Sequence, residues 1–152
     1  MKRIIGLMLV VLTLAAMLLT SCSSGSVTVR VLDGDKKVIC EQVVKLGEKN
    51  PDSITGETFY ALDCLEAALK QAKIEYFVNK EDADSFVVTI IGDIEAGKKD
   101  DGKTYQFVYY RKDEDSGKFV DKTGLTAQHD EMEGGEVLEF RYEEVVVPTV
   151  KK

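Results

Sequence analysis

The chain has 152 residues, 44% of them hydrophobic and 31% charged, and a formal net charge of −7 at pH 7. That length and mixture describe one globular domain and exclude a fibrous or wholly disordered chain. The acidic balance argues against a nucleic-acid partner, which needs a concentrated Lys/Arg surface, and one His with three Cys leaves little material for a zinc site or a His-based triad.

Met1-Lys2-Arg3 is a short basic start, and Ile4 to Leu19 is apolar except for Gly6 and Thr13. A positive n-region followed by an apolar h-region is the pattern of a secretory signal, here over residues 1–21. The apolar run falls short of the roughly 20 residues that span a bilayer comfortably. Leu19-Thr20-Ser21-Cys22 resembles the lipobox of bacterial lipoproteins: an aliphatic residue, two small residues, then cysteine. The resemblance implies that the Cys22 thiol takes a diacylglycerol and that cleavage leaves Cys22 as the mature N-terminus. Buried acyl CH₂ groups contribute about 0.8 kcal/mol each, so a multiply acylated cysteine holds a domain at the membrane. Ser23-Ser24-Gly25-Ser26 completes a flexible tether over residues 22–26. The expected address is the extracytoplasmic face of the cell membrane. Cleavage removes two basic residues, Lys2 and Arg3, and no acidic one, so the charge deepens from −7 to −9. Anionic headgroups repel such a domain, which then stands off on its tether.

In the mature chain Val27, Val29 and Val31 alternate with Thr28 and Arg30, the period of a half-buried strand. Asp33-Gly34-Asp35-Lys36 signals a hairpin turn. Val38, Cys40, Val44 and Leu46 then line one face of a second strand, with Gln42 the polar exception. Gly47 to Gly56 is a polar loop, and Thr55 or Thr58 is placed to cap a helix over Phe59–Ala72. There Leu62, Leu65, Leu69 and Ala72 recur at helical spacing, with Asp63, Glu66 and Lys70 on the other side. Ser85–Ile91 is a strongly β-forming run, Gly97 to Gly102 a charged loop, and Thr104–Arg111 an aromatic strand. Asp113 to Gly117 turns into a short Lys118–Asp121 strand. Gly134-Gly135 precedes Glu136–Glu144, where Leu138, Phe140 and Tyr142 alternate with Glu139, Arg141 and Glu143. The segment Val145–Lys152, with Pro148, is a fraying end, so the domain runs over 27–147 with a tail at 148–152. The order β-β-α-β-β-β gives an α+β fold, a mixed β-grasp-like sheet packed on one helix. Cys64, at the edge of the apolar stripe, can meet Cys40. The compartment permits a Cys40–Cys64 disulfide, and two small buried thiols are the other outcome.

These elements, in this order, resemble the domain shared by many bacterial surface lipoproteins and the C-terminal domain of transcobalamin and intrinsic factor. The residues that carry the resemblance are Val27-Thr28-Val29 with its Asp33-Gly34 turn, and Gly56-Glu57-Thr58 ahead of Ala61-Leu62. Val87 to Gly92, Phe107-Val108-Tyr109-Tyr110, and Gly134-Gly135 leading into Val137 to Phe140 follow. The family usually has a Trp in the aromatic strand and an Asn-Gly turn soon after it. Here there is no Trp, Phe107 holds that place, and Asp113–Asp115 replaces the tight turn. In the vitamin carriers this domain caps cobalamin. The resemblance therefore implies a possible corrinoid ligand and an aromatic surface formed by Phe107, Tyr109 and Tyr110. The competing reading is that these alternating aromatics fill the core and cover the sheet.

Catalytic constellations are weak. His129-Asp130-Glu131 with Glu133 is a lone His among loop carboxylates, more in keeping with solvated surface than with a metal site. Asp113-Glu114-Asp115 lacks the ligand spacing and internal glycine of a calcium loop. No nucleophile has a recognisable base beside it, and no phosphate-binding glycine loop joins a strand to a helix. The expectation is a non-enzymatic binding protein with no metal and no resident cofactor. It captures a corrinoid or another small nutrient for a membrane transporter. The alternative is a surface protein–protein module that meets a transporter or envelope protein and takes no small molecule.

Overall fold

The computed structural model describes residues 25–49, 56–58, 60–80, 86–122 and 127–146. The signal segment, Cys22, most of the Gly47–Gly56 loop with Thr55, and the tail lie outside the described residues. Among the described residues the strands are β1 Ser26–Leu32, β2 Val38–Lys45, β3 Tyr76–Asn79, β4 Val87–Ile91, β5 Ile94–Glu95, β6 Gly97–Lys98, β7 Thr104–Lys112, β8 Phe119–Asp121 and β9 Val137–Val145, and the helix is α1 Ala61–Ala72. The fold is α+β, as the element order implied.

The larger sheet runs β2-β1-β9-β7-β6, with β8 also on β7. β1 and β2 form the antiparallel hairpin, β9 lies parallel to β1, and β7 is antiparallel to β9. Period-two burial fixes this register. Val29 sits opposite Leu138 and Val31 opposite Phe140, and all four are fully buried. α1 lies across β1 and β2 and lays Leu62, Leu65, Ala68 and Leu69 on that inner face. Each fully buried Val, Leu or Phe contributes roughly 1.5–3 kcal/mol.

The hairpin turn forms as expected, with Lys36 in the left-handed region at φ 63° and the Asp33 side chain accepting from the Asp35 and Lys37 amides to shape the loop. Several local readings change. Thr58 does not cap α1, since its hydroxyl donates to the Glu48 carbonyl at 2.7 Å. Asp63 serves that end instead, accepting from the Tyr60 amide at 3.2 Å. At the other end Lys73 takes φ 57°, and Ile74 N–H closes on Leu69 O at 2.9 Å, a Schellman arrangement. Asp63 and Glu66, expected on a solvated side, are buried. The segment 127–132 covers the start of the helix, with Ala61 N–H donating to Asp130 O and Leu62 N–H to Ala127 O. Glu66 meets Lys80, at the end of β3, at 3.1 Å.

The chain beyond α1 is more divided than the pattern suggested. β4 belongs to a separate three-stranded sheet, β3-β4-β5. Gly97 and Lys98, expected in a loop, pair with Tyr105 and Thr104 as β6. These pieces are two to four residues long apart from β4, too short for a hydrophobic period to register.

Candidate functional site

β7 is an inner strand for only part of its length. β9 pairs along one edge from Thr104 to Arg111. On the other edge β6 takes Thr104 and Tyr105, and β8 takes Tyr110 to Lys112. Between those two short strands the stretch Gln106–Tyr109 faces β4 across a groove of about 170 Å³. Leu62, Phe107, Tyr109 and Phe140 contribute apolar surface from the main sheet and helix, Phe86 and Val88 from the β4 side, and Gln106 and Lys122 the polar lining. Phe86 is held in place by its own amide, which donates to Gln128 Oε1 at 2.6 Å. Lys122 N–H, donating to Tyr109 O at 3.1 Å, closes one end.

The three aromatics named from the sequence do not form one surface. Phe107 and Tyr109 both line the groove, whereas Tyr110 does not. Alternation along β7 sends Tyr110 to the opposite face, where Arg141 stacks on its ring at 4.0 Å and its hydroxyl donates to Glu143 at 2.8 Å. Desolvation, then that hydrogen bond, pushes the Tyr110 phenol up to about 12. Phe107 is partly buried and tilts against Tyr142 with ring centroids 5.3 Å apart. Tyr109 is buried and stacks on Phe140 at 5.2 Å. Its hydroxyl donates to Asp130 Oδ2 at 2.7 Å. Burial first, and then this bond to a carboxylate, raises its phenol far above the ordinary range, so Tyr109 cannot serve as a base near neutral pH.

Behind Tyr109 stands an ion network that the sequence reading missed. Arg111 donates to Asp130 Oδ1 at 3.2 Å and to Glu136 Oε1 at 3.0 Å. Glu136 also accepts the amides of Glu133 and Gly134. This fixes the glycine turn against the start of β1, where Gly135 N–H donates to Ser26 O at 2.7 Å. Gly134 has φ 107°, and a Cβ there would fall 2.9 Å from Gly25 Cα, so glycine is required. A signal for the network was present. Glu136 has the parity of Leu138 and Phe140, and Arg111 that of Tyr109, which places opposite charges on the inner face. A second cavity, of about 340 Å³, lies beside Arg111 and Glu136 and is lined mostly by charged groups, including Asp113, Glu114 and Lys122.

Cys40 and Cys64 are buried free thiols, so the bridge entertained from the sequence is not formed. Cys40 Sγ contacts the Ala68 carbonyl at 3.9 Å, and burial raises its pKa. Burial, with the charges of Asp63 and Glu136, pushes the Cys64 thiol up to about 12, which makes it unreactive. Of the loop residues weighed for metal, Asp130 is engaged by Tyr109 and Arg111, while His129 and Glu131 are exposed. Among the described residues no three His, Cys, Asp or Glu side chains are grouped to hold a metal ion. Also among the described residues, no helix is long and apolar enough to cross a membrane.

No protein-family model matches the chain, and no curated protein matches it. Among solved structures it is similar to "a putative metal binding protein" from Ruminococcus gnavus, at 17% identity and a TM-score of 0.47, over 80% of this chain and 99% of that one. At that degree of likeness, metal binding is a property described for the other protein alone.

Proposed function

We propose that the chain is a lipid-anchored extracytoplasmic binding protein without catalytic activity, which captures a small nutrient for a membrane transporter by seating one ring or branched aliphatic group in the groove between β4 and β7. The groove is the observation that supports this reading. It is about 170 Å³, has a mainly apolar lining with Gln106 and Lys122 at its edge, and opens beside an interrupted strand edge. An apolar cavity of about 150 Å³ accepts benzene, whereas pockets that enclose drug-sized ligands run to roughly 300–1,000 Å³. A whole corrin ring is too large to be enclosed there. A cobalamin would engage through its benzimidazole ring, and cobinamide, which lacks that ring, would not. Melting residues 26–152 with each compound tests the corrinoid version: stabilisation by cobalamin but not cobinamide supports it, and stabilisation by neither or by both equally removes it.

The anchor rests on Leu19-Thr20-Ser21-Cys22. A Cys22→Ala variant is expected to lose lipid labelling and membrane retention, and unchanged retention would contradict the lipoprotein reading. A second reading, a protein–protein module for an envelope or transporter protein, is favoured by the apolar surface next to the groove. Val87, which lines it, is 39% exposed, and Phe77 on neighbouring β3 is 58% exposed. Crosslinking on intact cells that captures a partner, with no small molecule shifting the melt, would favour that reading.

A further inference from the structure

β2 ends the larger sheet, and among the described residues it pairs only with β1. An unpaired strand edge is a template for another strand. This edge is eight residues long, and Glu41, Val43 and Lys45 project from its outer face, all exposed, with Val43 at 51%. The Glu41 and Lys45 side chains are 47% and 77% exposed. Their present partners, Arg30 at 3.1 Å and Glu48 at 3.8 Å, are surface ion pairs that hold them weakly.

The geometry points to a second copy of this chain as the partner of this edge, paired antiparallel about a two-fold axis at Val43. Residues opposite each other in an antiparallel pair share a face. A two-fold through Val43 sets Val43 against its twin and Glu41 opposite Lys45 of the second copy, twice, so the surface complements itself as an isologous contact must. A two-fold at Gln42 would put Val43 against Glu41, and one at Glu41 would oppose two like charges. On the inner face Gln42 meets Val44 of the second copy, and the groove of about 170 Å³ between Val44 and Ala67 leaves space beside the helix. A single strand ladder buries little area, so the contact belongs with weak interfaces. Confinement to a membrane would favour it, and in that respect the inference rests on the anchor proposed above. The inference is independent of the β4–β7 groove.

Disulfide trapping of the full-length chain in its membrane tests this. Under mild oxidation V43C should give several-fold more dimer than the unsubstituted chain. K45C twins would lie roughly 13 Å apart along the strands, beyond the reach of a disulfide, and should stay at background. Adding E41K or K45E to V43C should cut the trapping at least several-fold. Co-producing V43C/E41K with V43C/K45E should restore it, because each mixed pair again sets Lys opposite Glu at both positions. No excess dimer at V43C, equal trapping at K45C, or no recovery in the mixed pair would overturn the proposal.

Discussion

Tyr109 and Tyr110 are neighbours of one type with opposite surroundings, and they separate the two faces of the main sheet. On the inner face Tyr109 joins Val29, Val31, Leu138 and Phe140 under α1, and its hydroxyl is held by buried Asp130. On the outer face Tyr110 lies under Arg141, whose guanidinium also donates to Glu139 at 2.6 Å, and Arg30 links Glu139 to Glu41. The inner face gains from removing apolar area from water. On the outer face Glu139 is buried beneath Arg141, and the pairs that reach water, such as Arg30 with Glu41, contribute little. Sequence alternation separates the two faces, while burial decides how strongly each one matters.

The sharpest way to break the contrast is Phe140→Ala, which empties the centre of the inner face and should cost about 3–5 kcal/mol in urea unfolding. Arg111→Met should follow at about 2–3 kcal/mol, because it leaves buried Asp130 and Glu136 without their cation. On the outer face Arg30→Gln should cost less than about 1 kcal/mol, and that difference should shrink in 1 M salt. An outer-face loss as large as that from Arg111→Met would mean the two faces are not energetically distinct.

Glu66 extends the comparison to pH. Burial raises its carboxyl above the ordinary range, with Lys80 opposing through a hydrogen bond and charge. Among the described residues its Oε2 has no hydrogen-bond partner. Because the folded chain holds this proton more tightly than the unfolded chain, the associated stability is present below the unfolded pKa of about 4.3 and is lost as pH rises through the raised folded value. The melting temperature of Glu66→Gln relative to the parent should therefore rise between pH 4 and pH 7. A difference that stays flat across that range would count against the burial argument.

Much of this was legible in the residues, and what was missed has local causes. The β9 alternation of Leu138, Phe140 and Tyr142 with charged residues gave its two faces directly, and the Leu62–Leu65–Leu69 stripe gave the helix. Burial of Asp63 and Glu66 was not readable, because it follows from residues 127–132 and Lys80 covering a face that periodicity marks as polar. Phe86 and Gln128 reach the groove region through a contact 42 positions apart in the chain, which no local pattern carries. The aromatic strand was legible, but its pattern left two readings of the three rings open, one ligand surface or core filling and cover for the sheet. Period-two geometry divides them, so Phe107 and Tyr109 face the groove and Tyr110 does not.

That division allows the most direct test of the ligand-binding claim. Residues 26–152 and their Phe107→Ala and Tyr110→Ala variants would be melted with indole, p-cresol and cobalamin, since a probe at 100 times its Kd stabilises by about 2.7 kcal/mol. The account predicts that at least one ring-bearing probe raises the melting temperature of the parent and of Tyr110→Ala, and that Phe107→Ala loses most of that rise. No rise with any of the three probes, or a rise undiminished in Phe107→Ala, would contradict it.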